Sequence, residues 1–98
     1  MIEVRKTKAF AAWFDGLRYT QAKLRVQVRI DRLASGNPGQ YRVLAGGVCE
    51  LKIDHGPGYR VYYVQRGDVL IVLLCGGDKR TQRTDIAAAL AMASMLEH

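Results

Sequence analysis

The stretch Val48-Cys-Glu-Leu-Lys-Ile-Asp54, followed by His55-Gly-Pro-Gly58 and by Tyr59-Arg-Val-Tyr-Tyr-Val-Gln-Arg66, decides the fold of this chain. In the first segment apolar and polar residues alternate, which is typical of a strand with one buried face. Glycine, proline and glycine in succession then force a turn. The last segment is rich in β-branched and aromatic residues, which favour a second strand. The sequence therefore predicts an antiparallel hairpin.

The burial pattern also predicts the register of this hairpin. Directly opposed residues of an antiparallel pair point to the same face, so the apolar faces match when Leu51 lies opposite Val61. A slip of one residue would set Ile53 against Arg60, which is less favourable. The matched register predicts that four polar side chains share the open face of the sheet: Lys52, Arg60, Glu50 and Tyr62.

The rest of the chain supplies further elements on both sides of the hairpin. The apolar run at residues 69–75 predicts a central strand that ends at Gly76-Gly77. Residues 85–95 are rich in Ala, Leu and Met, which favours a final helix. Residues 2–7 and 41–45 are compatible with strands. A helix with one apolar face is predicted to follow the first of these, and the first strand ends in a threonine suited to cap it.

Residues 20–34 are ambiguous. Leu24 to Ile30 alternates apolar and polar residues as a strand does, yet Ala22, Val26, Ile30 and Leu33 also share one helical face. Fifteen residues without glycine or proline would make a long strand, so length favours a helix.

The predicted order β-α-α-β-β-β-β-α indicates an α+β fold, in which the helices pack on one face of an antiparallel sheet. The chain has 98 residues, enough for one domain, which we place at residues 1–95. Residues 96–98, Leu-Glu-His, resemble the start of a cloning tag.

Composition narrows the class of function. Lys and Arg outnumber Asp and Glu by 15 to 9, and small basic domains commonly contact nucleic acid, an anionic surface or an acidic protein. The alternative is a protein that is basic without such a partner. Cys49 and Cys75 lack further ligands at metal-binding spacing, so we expect two reduced core thiols in a cytoplasmic protein. No apolar run is long enough to suggest a membrane segment.

The cations of the hairpin suggest a site for a phosphodiester. Lys52 and Arg60 are predicted side by side, and Lys79 and Arg80 follow the central strand closely enough to reach the same rim. Adjacent cations repel each other, so a structural role alone explains the pair poorly. The alternative is a solvated sheet face on which Glu50 balances Lys52.

Such a site can promote the cleavage of RNA, in which the 2′-hydroxyl group of the RNA itself is the nucleophile. Cleavage requires a deprotonated nucleophile, a stabilised phosphorane and a proton for the leaving oxygen. Arg60 suits the phosphorane because its guanidinium grips two phosphate oxygens. Lys52 could act as the general base or as a second positive charge on the phosphate. Lys79 or Arg80 could stabilise the leaving oxygen. No carboxylate cluster has metal-binding spacing, so we expect a reaction without metal or other cofactor.

Three further features have a functional and a structural interpretation each. His55 is either an acid or base beside Lys52 or an exposed turn histidine. Tyr62 either stacks on a base or is a surface aromatic residue. On the helical interpretation of residues 20–34, a stripe of arginines is either a track for backbone phosphates or a solvated face. The stripe consists of Arg25, Arg29 and Arg32.

Three motifs form a recognisable set: Glu50-Leu-Lys-Ile-Asp54, Gly56-Pro-Gly-Tyr-Arg-Val-Tyr-Tyr63 and Leu74-Cys-Gly-Gly-Asp-Lys79. Through these motifs the chain resembles the RelE/HigB-like toxins of type II toxin–antitoxin systems, specifically the addiction module killer protein subgroup. The resemblance implies an mRNA endonuclease that usually acts on the ribosome. It also implies inhibition by a cognate helix-turn-helix antitoxin, through which alone the complex would contact operator DNA. By the family pattern Arg60 is the catalytic arginine, Lys52 the preceding basic residue, and Lys79 or Arg80 the following one.

Two rival functions remain open at the level of sequence. ParE-type toxins share this fold but poison DNA gyrase, and they need no nuclease site. A toxin-like protein without catalytic activity would only bind its antitoxin.

Overall fold

The computed structural model describes residues 2–96 and confirms the predicted α+β class and the order of elements. The strands are β1 (Glu3–Lys6), β2 (Tyr41–Val43), β3 (Val48–Ile53), β4 (Tyr59–Arg66) and β5 (Leu70–Asp78). The helices are α1 (Lys8–Asp15), α2 (Thr20–Ala34) and α3 (Gln82–Leu96). The expected tag residues after Leu96 lie outside the described residues.

The five strands form one sheet in the order β1-β5-β4-β3-β2. The hairpin has the predicted register, with Leu51 opposite Val61 and Lys52 opposite Arg60. The predicted antiparallel pairing is confirmed for β2 to β5, but β1 departs from it because it pairs with β5 in parallel. After β1 the chain passes through two helices before it returns, so its pairing partner is not local and the hairpin rules do not fix its direction.

The helices cover both faces of the sheet, so the expectation that all of them lie on one face is wrong. Helices α1 and α2 pack on the face that carries Leu51, and α3 packs on the opposite face through Ala89 and Ala93. The strands are apolar on both faces in their central part, as Leu73 and Leu74 show, and each face therefore needs a cover.

Strand β5 runs through Gly76 and Gly77 rather than ending there, which corrects the predicted break. A Cβ atom at Gly76 would overlap the ring of Trp13 on α1, and one at Gly77 would overlap the carboxylate of Asp85 on α3. The two glycines therefore allow a helix to approach the strand closely on each face.

Neither cysteine is in a disulfide bond. Cys75 is buried, and burial followed by the nearby charge of Asp85 raises the pKa of its thiol to about 11. Cys49 is half-buried, and burial raises its pKa too. Within residues 2–96, none of the helices has the length and apolarity needed to cross a bilayer.

Candidate functional site

A cleft of about 350 Å³ lies between the β2–β3–β4 part of the sheet and the first residue of α3. We call it the basic cleft; its lining residues are Gln40, Tyr41, Arg42, Glu50, Lys52, Arg60 and Gln82. Three of these side chains are cations and one is a carboxylate. The cleft is thus a concave, predominantly positive surface of the kind that binds an anion.

Arg60 is the most unusual residue of the cleft. Its side chain lies on β4 and is only 5% exposed, yet it forms no ion pair with any residue of the described chain. Its Nη1 atom donates to the carbonyl oxygen of Gly58 at 2.9 Å. Its Nε atom is buried and has no hydrogen-bond partner among residues 2–96. Buried guanidinium groups are costly unless they are paired. This arrangement is typical of an arginine whose counter-ion is supplied by a bound anionic ligand.

Lys52 lies beside Arg60, as the register predicted. Its side chain is half-buried, and in the part of the chain that the structure describes its ammonium group forms no ion pair. Its backbone is fixed on both sides, because its N–H donates to the carbonyl of Gln40 and its carbonyl accepts from Nη1 of Arg29. Within residues 2–96, neither of these two neighbouring cations forms an ion pair with a carboxylate.

Glu50 is the carboxylate of the cleft, and its charge is already matched. Its Oε1 atom accepts from Nε of Arg42 at 2.7 Å, and its Oε2 atom accepts from Nε2 of Gln82 at 2.8 Å. Burial alone would raise the pKa of Glu50, but the hydrogen bonds from Gln82 and Arg42 outweigh it and hold the pKa below the ordinary value. The group is therefore ionised at neutral pH.

The two basic residues after β5 have different surroundings. Arg80 is exposed and forms an ion pair with Asp78 at 3.1 Å. The Cβ atom of Lys79 lies 3.6 Å from the position that a Cβ of Gly58 would take, and Nη1 of Arg60 lies 3.2 Å from the same position. Neither residue lines the basic cleft, but the Cβ atom of Lys79 lies near the guanidinium group of Arg60.

Tyr62 does not lie on an open face, so the expectation of an exposed ring is wrong. Its side chain is 0% exposed because α3 covers this face of the sheet. Its hydroxyl group is buried close to the Glu50 carboxylate, but in the described structure no hydrogen bond of good geometry joins the two groups. Burial, and then the charge of Glu50, raise its pKa. A ring in this position cannot stack on a nucleobase.

The remaining predicted residues line a second cleft of about 220 Å³ on the other face, between α2 and the β3–β4 turn. We call it the α2 cleft; it includes Arg25, Arg29, Arg32 and His55. The ring of His55 stacks on Tyr59, with centroids 6.5 Å apart. His55 is therefore not brought together with Arg60 in the basic cleft.

The three arginines of the α2 cleft are not equivalent. Arg29 donates to three backbone carbonyls, those of Lys52, Pro38 and Gln40, and so it joins α2 to the sheet. Burial, followed by the charge of Arg32, lowers its pKa. Arg25 and Arg32 remain exposed. Only these two present their charges to solvent as the predicted stripe requires.

Sequence reasoning missed Arg42 and Gln82 as members of the site. Arg42 lies opposite Glu50 in the β2–β3 pair, and Gln82 is the first residue of α3. The register of β2 against β3 would have revealed Arg42, but the connection contains Gly46 and Gly47 in left-handed conformations, whose path the burial pattern does not specify. No group of three or more metal-binding side chains occurs within residues 2–96.

Comparisons with known proteins agree with this architecture. A curated Haemophilus influenzae (strain Rd) protein, described as uncharacterized, is 43% identical over 95 residues, which cover 97% of this chain and 96% of that protein. The crystal structure of a copper-bound mutant toxin from Helicobacter pylori has the same fold, with a TM-score of 0.62 and 21% identity over 82% of this chain and 97% of the toxin. The model of the phage-derived protein Gp49-like family (DUF891) matches residues 12–94, and the chain belongs to this family.

Proposed function

We propose that this chain is the toxin of a toxin–antitoxin module and that it acts as a metal-independent endoribonuclease of the RelE/HigB type on translated mRNA. One observation carries the proposal: Arg60 is a buried guanidinium without a carboxylate partner in the described residues, next to Lys52 at a cleft open to solvent. The toxin fold of the Helicobacter protein supports the first part of the proposal. The charge of the cleft supports the second.

The proposed reaction uses groups already present in RNA and in this chain. The 2′-hydroxyl gives its proton to solvent water and its oxygen attacks the adjacent phosphorus. The bond from phosphorus to the 5′-oxygen breaks and this oxygen takes up a proton from water, which leaves a 2′,3′-cyclic phosphate and a 5′-hydroxyl. Arg60 stabilises the charge that develops on the phosphorane oxygens, and Lys52 adds a second positive charge beside it. Lys79, whose Cβ atom lies near Arg60, is the candidate group to stabilise the negative charge on the leaving 5′-oxygen. His55 has no part in this proposal, because it lies in the α2 cleft.

The proposed partners follow from the resemblance and from the charge of the chain. A net charge of +6 favours contact with ribosomal and messenger RNA. Arg25 and Arg32 are the exposed cations that we assign to backbone phosphates outside the cleft. The proposed inhibitor is a helix-turn-helix antitoxin, which would itself contact operator DNA.

The test is primer-extension mapping of a reporter mRNA after brief induction in bacterial cells. Three proteins are compared: the wild type, Arg60→Met, and Arg18→Met as a control at an exposed arginine between α1 and α2. We expect cuts within translated codons for the wild type and for the control, and none for Arg60→Met. A reporter without a start codon tests the requirement for the ribosome, and it should remain intact.

Other outcomes separate the rival functions. Growth arrest with intact message, unchanged in Arg60→Met, would overturn the nuclease and favour a gyrase poison. Normal growth with intact message would favour a toxin-like protein that only binds its antitoxin. A thermal melt of each purified variant shows that loss of cutting does not come from loss of the fold.

A further inference from the structure

Arg42 is held in the basic cleft by only one of its three guanidinium nitrogens. Its Nε atom donates to Oε1 of Glu50 at 2.7 Å. Among the residues that the structure describes, neither Nη nitrogen of Arg42 has a hydrogen-bond partner, and the side chain is 57% exposed. The outer edge of the guanidinium, which carries the two parallel N–H donors used for bidentate contacts, is therefore open to solvent.

Glu50 is placed to hold that guanidinium in one orientation. Its side chain is 3% exposed, and its second oxygen accepts from Gln82 at 2.8 Å. Both oxygens are thus engaged, one towards the β2 edge and one towards α3. A carboxylate in an anion-binding cleft would by itself repel the ligand. The hydrogen bond to Arg42 offsets this repulsion, which explains why Glu50 is compatible with an anion-binding cleft.

The cleft also has room for more than one phosphate. Arg42 on β2 lies level with Tyr62 on β4, so strand β3 and two residues of strand rise separate it from Arg60. At ordinary strand spacing and rise, this puts the backbones of the two arginines about 12 Å apart. Lys52 lies on the strand between them. The two arginines thus flank a positive cleft of about 350 Å³ that one strand of nucleic acid can cross.

We propose that Arg42 is a second phosphate-binding residue, which grips the phosphate next to the one held by Arg60, and that Glu50 is the positioning residue that aims it. This assignment rests on the proposed function for the identity of the ligand as a single-stranded nucleic acid. It adds a binding contact that the cleavage chemistry itself does not need.

The test measures binding without cleavage. The probe is a fluorescent 2′-deoxy oligonucleotide with the sequence of the cut reporter segment, which lacks the attacking 2′-hydroxyl. Its affinity is measured by anisotropy over a series of salt concentrations. For a single strand, each phosphate contact contributes about 0.7 to the slope of log affinity against log salt. We expect Arg42→Gln to reduce the slope by about 0.7 and Arg18→Gln, with the same change in net charge, to leave it unchanged.

Two further variants test the role of Glu50 and the need for arginine. Arg42→Lys keeps the charge, but a single ammonium group cannot pair with Glu50 and present a fork to the phosphate, so we expect the same loss as in Arg42→Gln. In a Glu50→Gln background, the further change Arg42→Gln should cost less than it does in the wild type, because the arginine is no longer aimed. Thermal melts of all variants verify the fold.

The outcomes separate this assignment from the proposed nuclease. Equal slopes for Arg42→Gln and Arg18→Gln, full rescue by Arg42→Lys, or no binding by the wild type would each overturn it. If the slopes change as expected while the wild type cuts no RNA of the same sequence, the phosphate contact stands and the nuclease fails. If the wild type cuts RNA and the Arg42 variants bind with an unchanged slope, the nuclease stands and Arg42 is not a contact.

Discussion

Gln82, the first residue of α3, donates a hydrogen bond from Nε2 to Oε2 of Glu50 on β3, 2.8 Å away. The other oxygen of Glu50 accepts from Arg42 on β2. One nearly buried carboxylate thus links the final helix, the centre of the hairpin and the edge strand of the sheet. Glu50 thus connects Arg42 and Gln82, two other residues that line the basic cleft.

The first prediction concerns the stability of the protein in acid. The hydrogen bonds that hold the pKa of Glu50 below its ordinary value make the ionised form stabilising in the folded state. This contribution is fully present above the unfolded-state pKa of about 4.3, and it is lost as the pH falls through the lower folded-state value. We expect the free energy of unfolding in urea to fall below pH 4.3 less steeply in Glu50→Gln than in the wild type.

The control for this prediction is Asp15→Asn, which changes an exposed carboxylate at the end of α1. At pH 7, Glu50→Gln should lower the free energy of unfolding by about 1 to 2 kcal/mol, because it weakens two hydrogen bonds to a charged group. An acid profile that is the same in Glu50→Gln and in the wild type would contradict the linkage.

The second prediction is that Arg60 costs stability. Its guanidinium is 5% exposed, its Nε atom has no partner, and the described residues offer it no carboxylate. We expect Arg60→Met to raise the free energy of unfolding by about 1 kcal/mol, since an apolar side chain of similar length removes a buried unpaired charge. Such a gain, coupled to loss of cutting, is typical of a residue kept for function.

Urea unfolding of Arg60→Met, with Arg18→Met as the exposed control, measures this effect. A clear loss of stability in Arg60→Met alone would mean that the guanidinium is a structural group. The proposal that Arg60 is kept for binding an anionic ligand would then be wrong.

The third prediction concerns the buried hydroxyl group of Tyr62. The ring is 0% exposed and the hydroxyl has no partner within the described chain. We expect Tyr62→Phe to raise the free energy of unfolding by up to about 1 kcal/mol and to leave RNA cleavage unchanged. Tyr19→Phe, at a tyrosine that is 67% exposed, should change neither quantity. Loss of cleavage in Tyr62→Phe at unchanged stability would show that the hydroxyl takes part in the reaction.

The fourth prediction tests the close approach of α3 to β5. A Cβ atom at Gly77 would overlap the carboxylate of Asp85, so Gly77→Ala should lower the free energy of unfolding by about 1 to 3 kcal/mol. In an Asp85→Ala background the same change should cost less, because the main obstacle has been removed. Thermal and urea unfolding of the four proteins give this double-mutant cycle, and additive effects would contradict the proposed overlap.

The hairpin could be predicted from sequence because a strand has a side-chain period of two. That period assigns Leu51, Ile53 and Val61 to one face, and only one register joins them. The pairing of Lys52 with Arg60 followed from it and is confirmed. A single local turn links the two strands, so little else could change the outcome.

The other members of the cleft depend on contacts that a local pattern does not encode. The final helix was expected to begin at Asp85, whereas it begins at Gln82, and this one turn is what brings the Gln82 amide to Glu50. The local pattern also does not show that α3 covers the second face of the sheet, and this cover is what buries Tyr62. The side of a sheet on which a helix packs is a long-range property, set here by the second apolar face that β5 must bury.

The parallel pairing of β1 with β5 affects how the protein forms during its own synthesis. Glu3 pairs with Leu70, and the hydroxyl of Thr7 donates to the carbonyl of Leu74, 67 positions further along the chain. At 5 to 20 residues per second, a ribosome needs roughly 3 to 13 seconds to add the second partner after the first. During that interval the nascent chain has neither the complete β1–β5 pair nor α3. The basic cleft, and with it the nuclease activity proposed above, is therefore incomplete until the first residue of α3 has been added to the chain.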